Sequence, residues 1–318
     1  MKIVILDGGI LNPGDLCWEE LKQLGEVTVY DQSVPEQVVQ RLANADIVIT
    51  NKVELNEAIF NQCPSLKFIA VTSTGYNVID LAAARARRIA VSNVPTYGTA
   101  TVAQFTTALL LALCNQVSEH SKDVLAGGWS QRNTWCYWLN PMIEIAGKKA
   151  GIIGYGRIGK AFGTIAQAMG MTVLAYVPGT ANVEENDNVC YVDLDTLYAN
   201  ADVISLHCPL TPATKGMINK NTLQKMKSSV LLLNASRGEL INETDLAVAL
   251  NEGRIAGAAV DVLSTEPPAT DNPLLTAKNC LITPHIAWAS VEARGRILTT
   301  TVKNVAAFIA GQQQNRVV

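Results

Sequence analysis

The sequence has no marked charge excess, no long apolar run, no paired cysteines and few histidines. Lys+Arg (25) nearly balances Asp+Glu (28), for a formal net charge of -3. Without a basic footprint, nucleic acid is not an expected partner. The longest apolar stretch, Ala108–Cys114, falls far short of the roughly 20 residues that cross a bilayer, so no membrane association is expected. The apolar run Ile3–Leu6 stops at Asp7. It is too short for the core of a secretory signal and reads as a first strand. The seven cysteines (17, 63, 114, 136, 190, 208, 280) form no C-x-x-C pair. Their odd number and spread predict reduced thiols in a cytoplasmic protein. No ligand spacing supports zinc, so no metal is expected, and there is no repeat or low-complexity tract.

What is present is a chain of 318 residues, 48% hydrophobic, long enough for two domains with a core each. Short apolar runs at Ile3–Leu6, Val27–Tyr30, Ile47–Thr50 and Phe68–Thr72 alternate with helical patterns such as Gly14–Leu24 and Pro35–Ala43. Such alternation predicts a parallel sheet covered on both faces. A long helical stretch runs from about Thr99 to Ala126, where Gly127-Gly128 stops it. The following segment carries Trp129, Trp135, Tyr137 and Trp138. These rings suit either a subunit interface or the cover of their own core. A second strand–helix series follows, with strands at Ala150–Ile153, Thr172–Tyr176, Val203–Leu206, Val230–Leu233, Gly257–Val260 and Leu281–Thr283. Ala289–Ala310 reads as a closing helix that crosses back to the first domain.

Strand Ala150–Ile153 leads directly into Gly154-Tyr155-Gly156-Arg157-Ile158-Gly159, and the helix-compatible stretch Lys160–Met169 follows. In a G-x-G-x-x-G turn the first glycine permits the bend. The second admits a pyrophosphate to the backbone, and the third lets helix and strand pack closely. Free N–H groups and the dipole at the helix start favour phosphate. The motif alone is weak, but strand, turn, helix and next strand all fit a dinucleotide site; the plainer alternative is a glycine-rich turn with no ligand. The acid that would hold the adenosine ribose of NAD belongs at Val177, within Tyr176-Val177-Pro178-Gly179-Thr180, and is absent. No Arg or Lys sits nearby for a 2′-phosphate either, so the choice between NAD and NADP stays open.

Three further motifs place a reactive side chain just past a strand, where open α/β sheets present ligands. They are Leu233-Asn234-Ala235-Ser236-Arg237-Gly238, Val260-Asp261-Val262-Leu263-Ser264-Thr265-Glu266-Pro267-Pro268 and Ile282-Thr283-Pro284-His285-Ile286-Ala287-Trp288. Taken singly, Arg237 reads as a surface arginine, Glu266 as a solvated loop acid and His285 as a structural histidine. Together they supply what hydride chemistry at a carbonyl requires. A guanidinium can hold a carboxylate bidentately, and a histidine can move a proton near neutral pH. A carboxylate on the other ring nitrogen would fix the tautomer, leaving a nicotinamide to transfer hydride.

With these motifs in this order, the chain resembles the D-isomer-specific 2-hydroxyacid dehydrogenase family over nearly its whole length. The carriers are GYGRIG, Leu206-His207-Cys208-Pro209-Leu210-Thr211, NASRG, DVxxxEPP and TPHIAW. The resemblance implies an α/β protein of two doubly wound parallel-sheet domains. A Rossmann cofactor domain (99–288, with a dimerisation helix and arm at 99–145) would be inserted into a flavodoxin-like substrate domain (1–98 plus 289–318). It implies a homodimer, with Arg237, Glu266 and His285 catalytic. Asn51, Lys52, Thr74, Gly75, Arg237, His285 and Trp288 would meet substrate. Cofactor contacts would come from Thr101, Gly154, Gly156, Arg157, Ile158, Gly159, Val177, His207, Cys208, Pro209, Thr214, Ala235, Ser236, Arg237, Asp261, His285 and Ala287. Asp261 would accept from the nicotinamide amide. Two departures stand out: Val177 at the ribose acid, and Gln104 where Glu is more frequent.

Asn51-Lys52-Val53 and the tryptophan of PHIAW resemble the glycerate dehydrogenase (hydroxypyruvate and glyoxylate reductase) branch. The expected substrate is therefore a small 2-oxoacid, reduced to D-glycerate or glycolate. The alternatives are D-lactate-like or branched 2-oxoacids, or a non-catalytic NAD(H)-sensing protein like the family's corepressors. Phosphoglycerate dehydrogenase is a poorer match, because the chain ends soon after its closing helix. Formate dehydrogenase is disfavoured by the acidic partner, Glu266.

Overall fold

The structure is a computed structural model and describes residues 1–178 and 189–318. The chain divides into two compact units, Met1–Gly98 with Ala289–Val318, and Thr99–Trp288.

The first unit is built on β1 (Lys2–Ile5), β2 (Glu26–Val29), β3 (Ile47–Thr50), β4 (Phe68–Val71) and β5 (Ala90–Ser92). All pairs are parallel, in the order β2-β1-β3-β4-β5, a flavodoxin-like winding. β3 and β4 are buried along their full length. Their unbroken apolar runs reflect helices on both faces rather than one. The helix Pro35–Leu42 starts on a proline that needs no N–H partner and buries Val38 and Leu42. Glu57–Gln62 and Leu81–Ala86 are capped by the side chains of Asn56 and Asp80. The closing helix, Val291–Ile309, starts at Ser290, whose hydroxyl accepts from Ala293 N. It buries Ile297 and Val305 in this unit, and Phe308 stacks on Phe68 with centroids 4.5 Å apart.

Two local expectations are corrected here. The helix read at Gly14–Leu24 is confined to Glu19–Lys22. Asn12 Oδ1 accepts from Gly14 N (3.0 Å) and Leu16 N (2.9 Å), and Gly14 lies at φ +119, which holds the preceding stretch in a loop. Strand β5, Ala-Val-Ser, was not anticipated; three residues are too few to show a pattern.

The second unit carries β6 (Lys149–Ile153), β7 (Thr172–Tyr176), β8 (Val189–Tyr191), β9 (Val203–Leu206), β10 (Leu231–Asn234), β11 (Gly257–Val260) and β12 (Cys280–Ile282). All pairs are parallel, in the order β12-β11-β10-β9-β6-β7-β8. The winding reverses between β6 and β9, and a crevice at the carboxyl ends of such strands is the place for a ligand.

The stretch from Thr99 is two helices rather than one, Thr99–Asn115 and Val117–Leu125, bent by 56°. Gln116 breaks them in the left-handed region, at φ 46. The first buries Val102, Ala103, Thr106, Leu109, Leu110 and Cys114. Among the described residues no single helix is long and apolar enough to cross a membrane. After Gly127 the aromatic segment stands out from the core. Trp135 is 96% exposed, Trp138 65% and Trp129 46%, and Trp129 meets Tyr137 edge-on. The reading of these rings as cover for their own core is thereby set aside.

Candidate active site

The glycine turn links β6 to the helix Arg157–Ala168. Gly154 sits at φ +96, and a β-carbon there would run into the backbone of His207 and Cys208. Only glycine satisfies both conditions. A β-carbon on Gly159 would collide with the carbonyl oxygen of Gly154, so this glycine sets how closely the helix approaches the turn. Gly156 differs: a β-carbon there meets nothing within 4 Å. It is the N-cap, with no side chain capping the helix. The space above it is open, and the first N–H groups of the helix have no side-chain acceptor at their cap. An open helix start of this kind can accept a phosphate group, and the residues present fit a dinucleotide. Arg157 is exposed and Ile158 half-buried at the rim. Val177, half-buried, directly follows β7; the residues after Pro178, Gly179 and Thr180 among them, lie outside the described residues.

The neighbouring loop, after β9, is ordered by its own bonds. His207 Nε2 lies 2.9 Å from Ser205 Oγ, and its ring packs on Phe162 at 5.5 Å. Burial pushes the imidazole down to about 4, so it is neutral at physiological pH. The Cys208 side chain is buried, with Sγ toward Met217, so only its backbone remains for a ligand. Thr214 Oγ1 donates to Pro209 O (2.7 Å) and closes the 209–214 turn. Ser236 Oγ donates to Cys208 O (2.8 Å), joining this loop to the one after β10.

The three proposed catalytic side chains follow three adjacent parallel strands, β10, β11 and β12, at their carboxyl ends. Arg237 is exposed, and its guanidinium donates to Ser236 O (2.8 Å). The turn beneath it is shaped by buried Asn234, which accepts from Ser236 N (3.0 Å) and donates to Arg237 O (2.9 Å). Gly238 lies so close to Leu263 and Ser264 that a β-carbon would overlap their backbone. It draws the β10 loop against the β11 loop that bears Glu266.

Glu266 Oε2 stands 2.5 Å from His285 Nδ1, while Glu266 Oε1 accepts from Leu263 N (3.1 Å). Both side chains are about one-third exposed. The Glu266 loop is pinned from outside by Glu243, which accepts from Ser264 N (2.6 Å) and Asn272 Nδ2 (2.7 Å).

His285 occupies the left-handed region at φ 55, a conformation that non-glycine residues adopt at a cost. Asp261 imposes it. His285 N donates to Asp261 O (2.8 Å), and the Asp261 carboxylate accepts from Thr283 Oγ1 (2.6 Å), Ile286 N (2.9 Å) and Ala287 N (2.8 Å). Burial pushes this carboxyl up against those hydrogen bonds. Asp261, implied as a nicotinamide contact, is only 1% exposed and shapes the histidine loop through these bonds. Ala287 is likewise buried, and Trp288 Nε1 donates to His285 O (2.9 Å). Ala235 is half-buried in the β10 loop, and Thr101 half-buried in the third position of its helix.

In the first unit, the expected substrate residues lie on two loops after β3 and β4. Lys52 and Thr74 are exposed and Gly75 is half-buried. Asn51 is different: it is 5% exposed, and its Nδ2 donates to Thr72 O (2.9 Å) and Thr72 Oγ1 (3.0 Å). Its amide nitrogen is spent on the frame of the loop. Sequence reading passed over Asp7, Asn234, Glu243 and the spacing role of Gly238. Gly238 was visible within NASRG; an isolated acid or amide at a strand end carries no pattern. Among the described residues, no group of three or more His, Cys, Asp or Glu side chains could hold a metal ion.

The D-isomer specific 2-hydroxyacid dehydrogenase, NAD binding domain, matches residues 107–287. The chain belongs to the D-isomer-specific 2-hydroxyacid dehydrogenases. It is 52% identical over 318 residues to the hydroxypyruvate reductase of Blautia hydrogenotrophica, covering 99% of each chain. It is 41% identical to the glycerate dehydrogenase of Methylorubrum extorquens, over 99% of this chain and 98% of that one. Among solved structures it is similar to the D-lactate dehydrogenase of Aquifex aeolicus complexed with NAD and lactic acid. The TM-score there is 0.81 at 30% identity, covering 98% of this chain and 96% of that one.

Proposed function

We propose that this family member reduces hydroxypyruvate to D-glycerate, and glyoxylate to glycolate, with NADH or NADPH. The observation that carries the reading is the His285–Glu266 pair at 2.5 Å, formed between the loops after β12 and β11, with Arg237 in the loop after the adjacent β10. The names borne by the relatives from Blautia and Methylorubrum point to the same substrate.

When bound, a reduced nicotinamide supplies the hydride to the substrate's C2. The chain's own residues do the rest. Arg237 takes the substrate carboxylate in a two-pronged bond and draws electron density from the adjacent carbonyl. Glu266 holds Nδ1 and thereby presents Nε2 to the C2 oxygen, to which His285 gives a proton as the alkoxide develops. In the first unit, Lys52 and the Thr74–Gly75 backbone are further substrate contacts. The helix start at Gly156–Gly159 receives the pyrophosphate. Val177 offers neither an acid against a 2′-phosphate nor a partner for a free ribose, so both cofactors are accepted.

Two properties complete the proposal. The exposed Trp129, Trp135 and Trp138 segment, with the helices before it, forms the interface of a homodimer. Seven unpaired cysteines fit a reducing, cytoplasmic setting. A steady-state matrix tests the central claim: NADH and NADPH against hydroxypyruvate, glyoxylate, pyruvate, 2-oxoisocaproate and phosphohydroxypyruvate. The highest kcat/KM is expected for hydroxypyruvate. A higher value for pyruvate or 2-oxoisocaproate moves the assignment to another branch, and cofactor binding without turnover of any oxoacid replaces the enzyme with a sensor.

A further inference from the structure

Asp7 lies two residues past β1 and is 4% exposed. Its carboxylate accepts from the backbone of the loop after β3. Asn51 N reaches both oxygens at 2.9 Å, Lys52 N reaches Oδ2 at 2.7 Å and Val53 N at 3.3 Å, with Thr50 Oγ1 also at 3.3 Å. Three successive N–H groups converging on one anion form a nest. Here the anion is built into the chain. The ordering continues outward. Asn51 Nδ2 grips Thr72, Asn93 Nδ2 donates to Thr74 O (2.8 Å), and Thr74 Oγ1 donates to Val94 O (2.8 Å). Asn304 Nδ2 donates to Asn93 O (3.0 Å), and Asn315 Nδ2 to Asn304 Oδ1 (2.9 Å).

We infer that Asp7 is a positioning residue for substrate binding: its carboxylate builds the loop that presents Lys52, and through Asn51 it fixes the loop of Thr74 and Gly75. The inference rests on the reading above that these two loops meet substrate. Without the Asp7 carboxylate, Asn51 N and Lys52 N would lose their acceptor, while Val53 N would keep Thr50 Oγ1 (3.2 Å); an N–H stripped of its acceptor in a partly buried loop is costly, so the loop would have to rearrange. The fold of the sheet does not require it, because β1 is paired on both sides by β2 and β3.

The experiment compares Asp7→Ala, Asp7→Asn and Lys52→Ala in the full chain by steady-state kinetics with hydroxypyruvate, by NADH titration and by amide hydrogen exchange. Asp7→Ala is expected to raise KM about tenfold or more, with kcat within about threefold and NADH affinity unchanged. Exchange at residues 51–53 should accelerate about 100-fold while β3 and β4 stay protected. Asp7→Asn, which keeps one acceptor oxygen and the shape, should fall between; it carries the test if Asp7→Ala does not fold. Unchanged exchange at 51–53 overturns the inference. So does an unchanged KM in a folded Asp7 variant when Lys52→Ala raises it. If Lys52→Ala itself leaves KM unchanged, the substrate reading of the loop is what fails, and exchange alone decides the role of Asp7.

Discussion

Glu266 Oε2 and His285 Nδ1 lie 2.5 Å apart, joining the loop after β11 to the loop after β12. The contact commits one ring nitrogen and leaves the other for the substrate oxygen. Removing the ring should be worse than removing its holder. His285→Ala is expected to cut kcat by about 10²–10⁴-fold. Glu266→Gln keeps a hydrogen-bonding group but loses the negative charge, and should cost about 10–100-fold by analogy with other residues that orient an imidazole. Stopped-flow and steady-state rates with NADH and hydroxypyruvate check both. Near-full turnover by His285→Ala would remove the histidine from the mechanism.

Arg237 is exposed, and its guanidinium donates locally, to Ser236 O. A lysine there keeps the charge but not the planar fork that matches a carboxylate. Arg237→Lys is therefore expected to raise KM for hydroxypyruvate by about tenfold or more and to lower kcat as well, with NADH affinity nearly intact. Equal kinetic constants for Lys and Arg would mean that a point charge suffices and that no bidentate bond is made.

The glycines of the turn should separate by phenotype. Gly159→Ala forces a methyl into the Gly154 carbonyl, so it should destabilise the fold by about 1–3 kcal/mol. Gly156→Ala places its methyl in open space and should fold normally. That methyl would occupy the approach to the helix start, and NADH affinity should drop about tenfold or more. Thermal melts paired with NADH titrations distinguish the two. A Gly156→Ala protein with parental affinity would put the pyrophosphate elsewhere.

How much of this was legible follows burial. Ile47–Thr50, Thr172–Tyr176, Val203–Leu206 and Gly257–Val260 were read with their observed bounds, because strands buried on both faces are continuous apolar runs. The glycine turn and the three reactive side chains were legible for a related reason: each sits just past such a run. Two of the short edge strands escaped. Val189–Tyr191, like Ala90–Ser92, has three residues and a neighbour on one side only. The break at Gln116 escaped too, since nothing in the residue type demands φ 46 there. Asp7 and Glu243 were hidden because their partners lie far along the chain, and such partners leave no spacing; Asn234 acts locally within the NASRG turn, on Ser236 N and Arg237 O, and was passed over beside Arg237. Asn51 was noticed for its side chain, which in the structure faces inward to Thr72.

His207 supplies a test that does not depend on turnover. Its imidazole is pushed by burial from 6.5 down to about 4, so the unfolded chain binds a proton that the folded chain refuses throughout that interval. The contribution of His207 to stability is then flat above pH 6.5 and falls as pH drops toward 4. A full shift of this size would correspond to about 3 kcal/mol, and the partly exposed ring lowers the expected loss to about 1–2 kcal/mol between pH 7 and 5. His207→Gln retains a side chain able to bond Ser205 Oγ, as the ring does at 2.9 Å, but cannot titrate. Urea unfolding at the two pH values should show the parent losing about 1–2 kcal/mol more than the variant. Parallel losses in the two proteins would mean that His207 is protonated in the folded state as readily as in the unfolded one, and that its burial beside Phe162 does not oppose the charge.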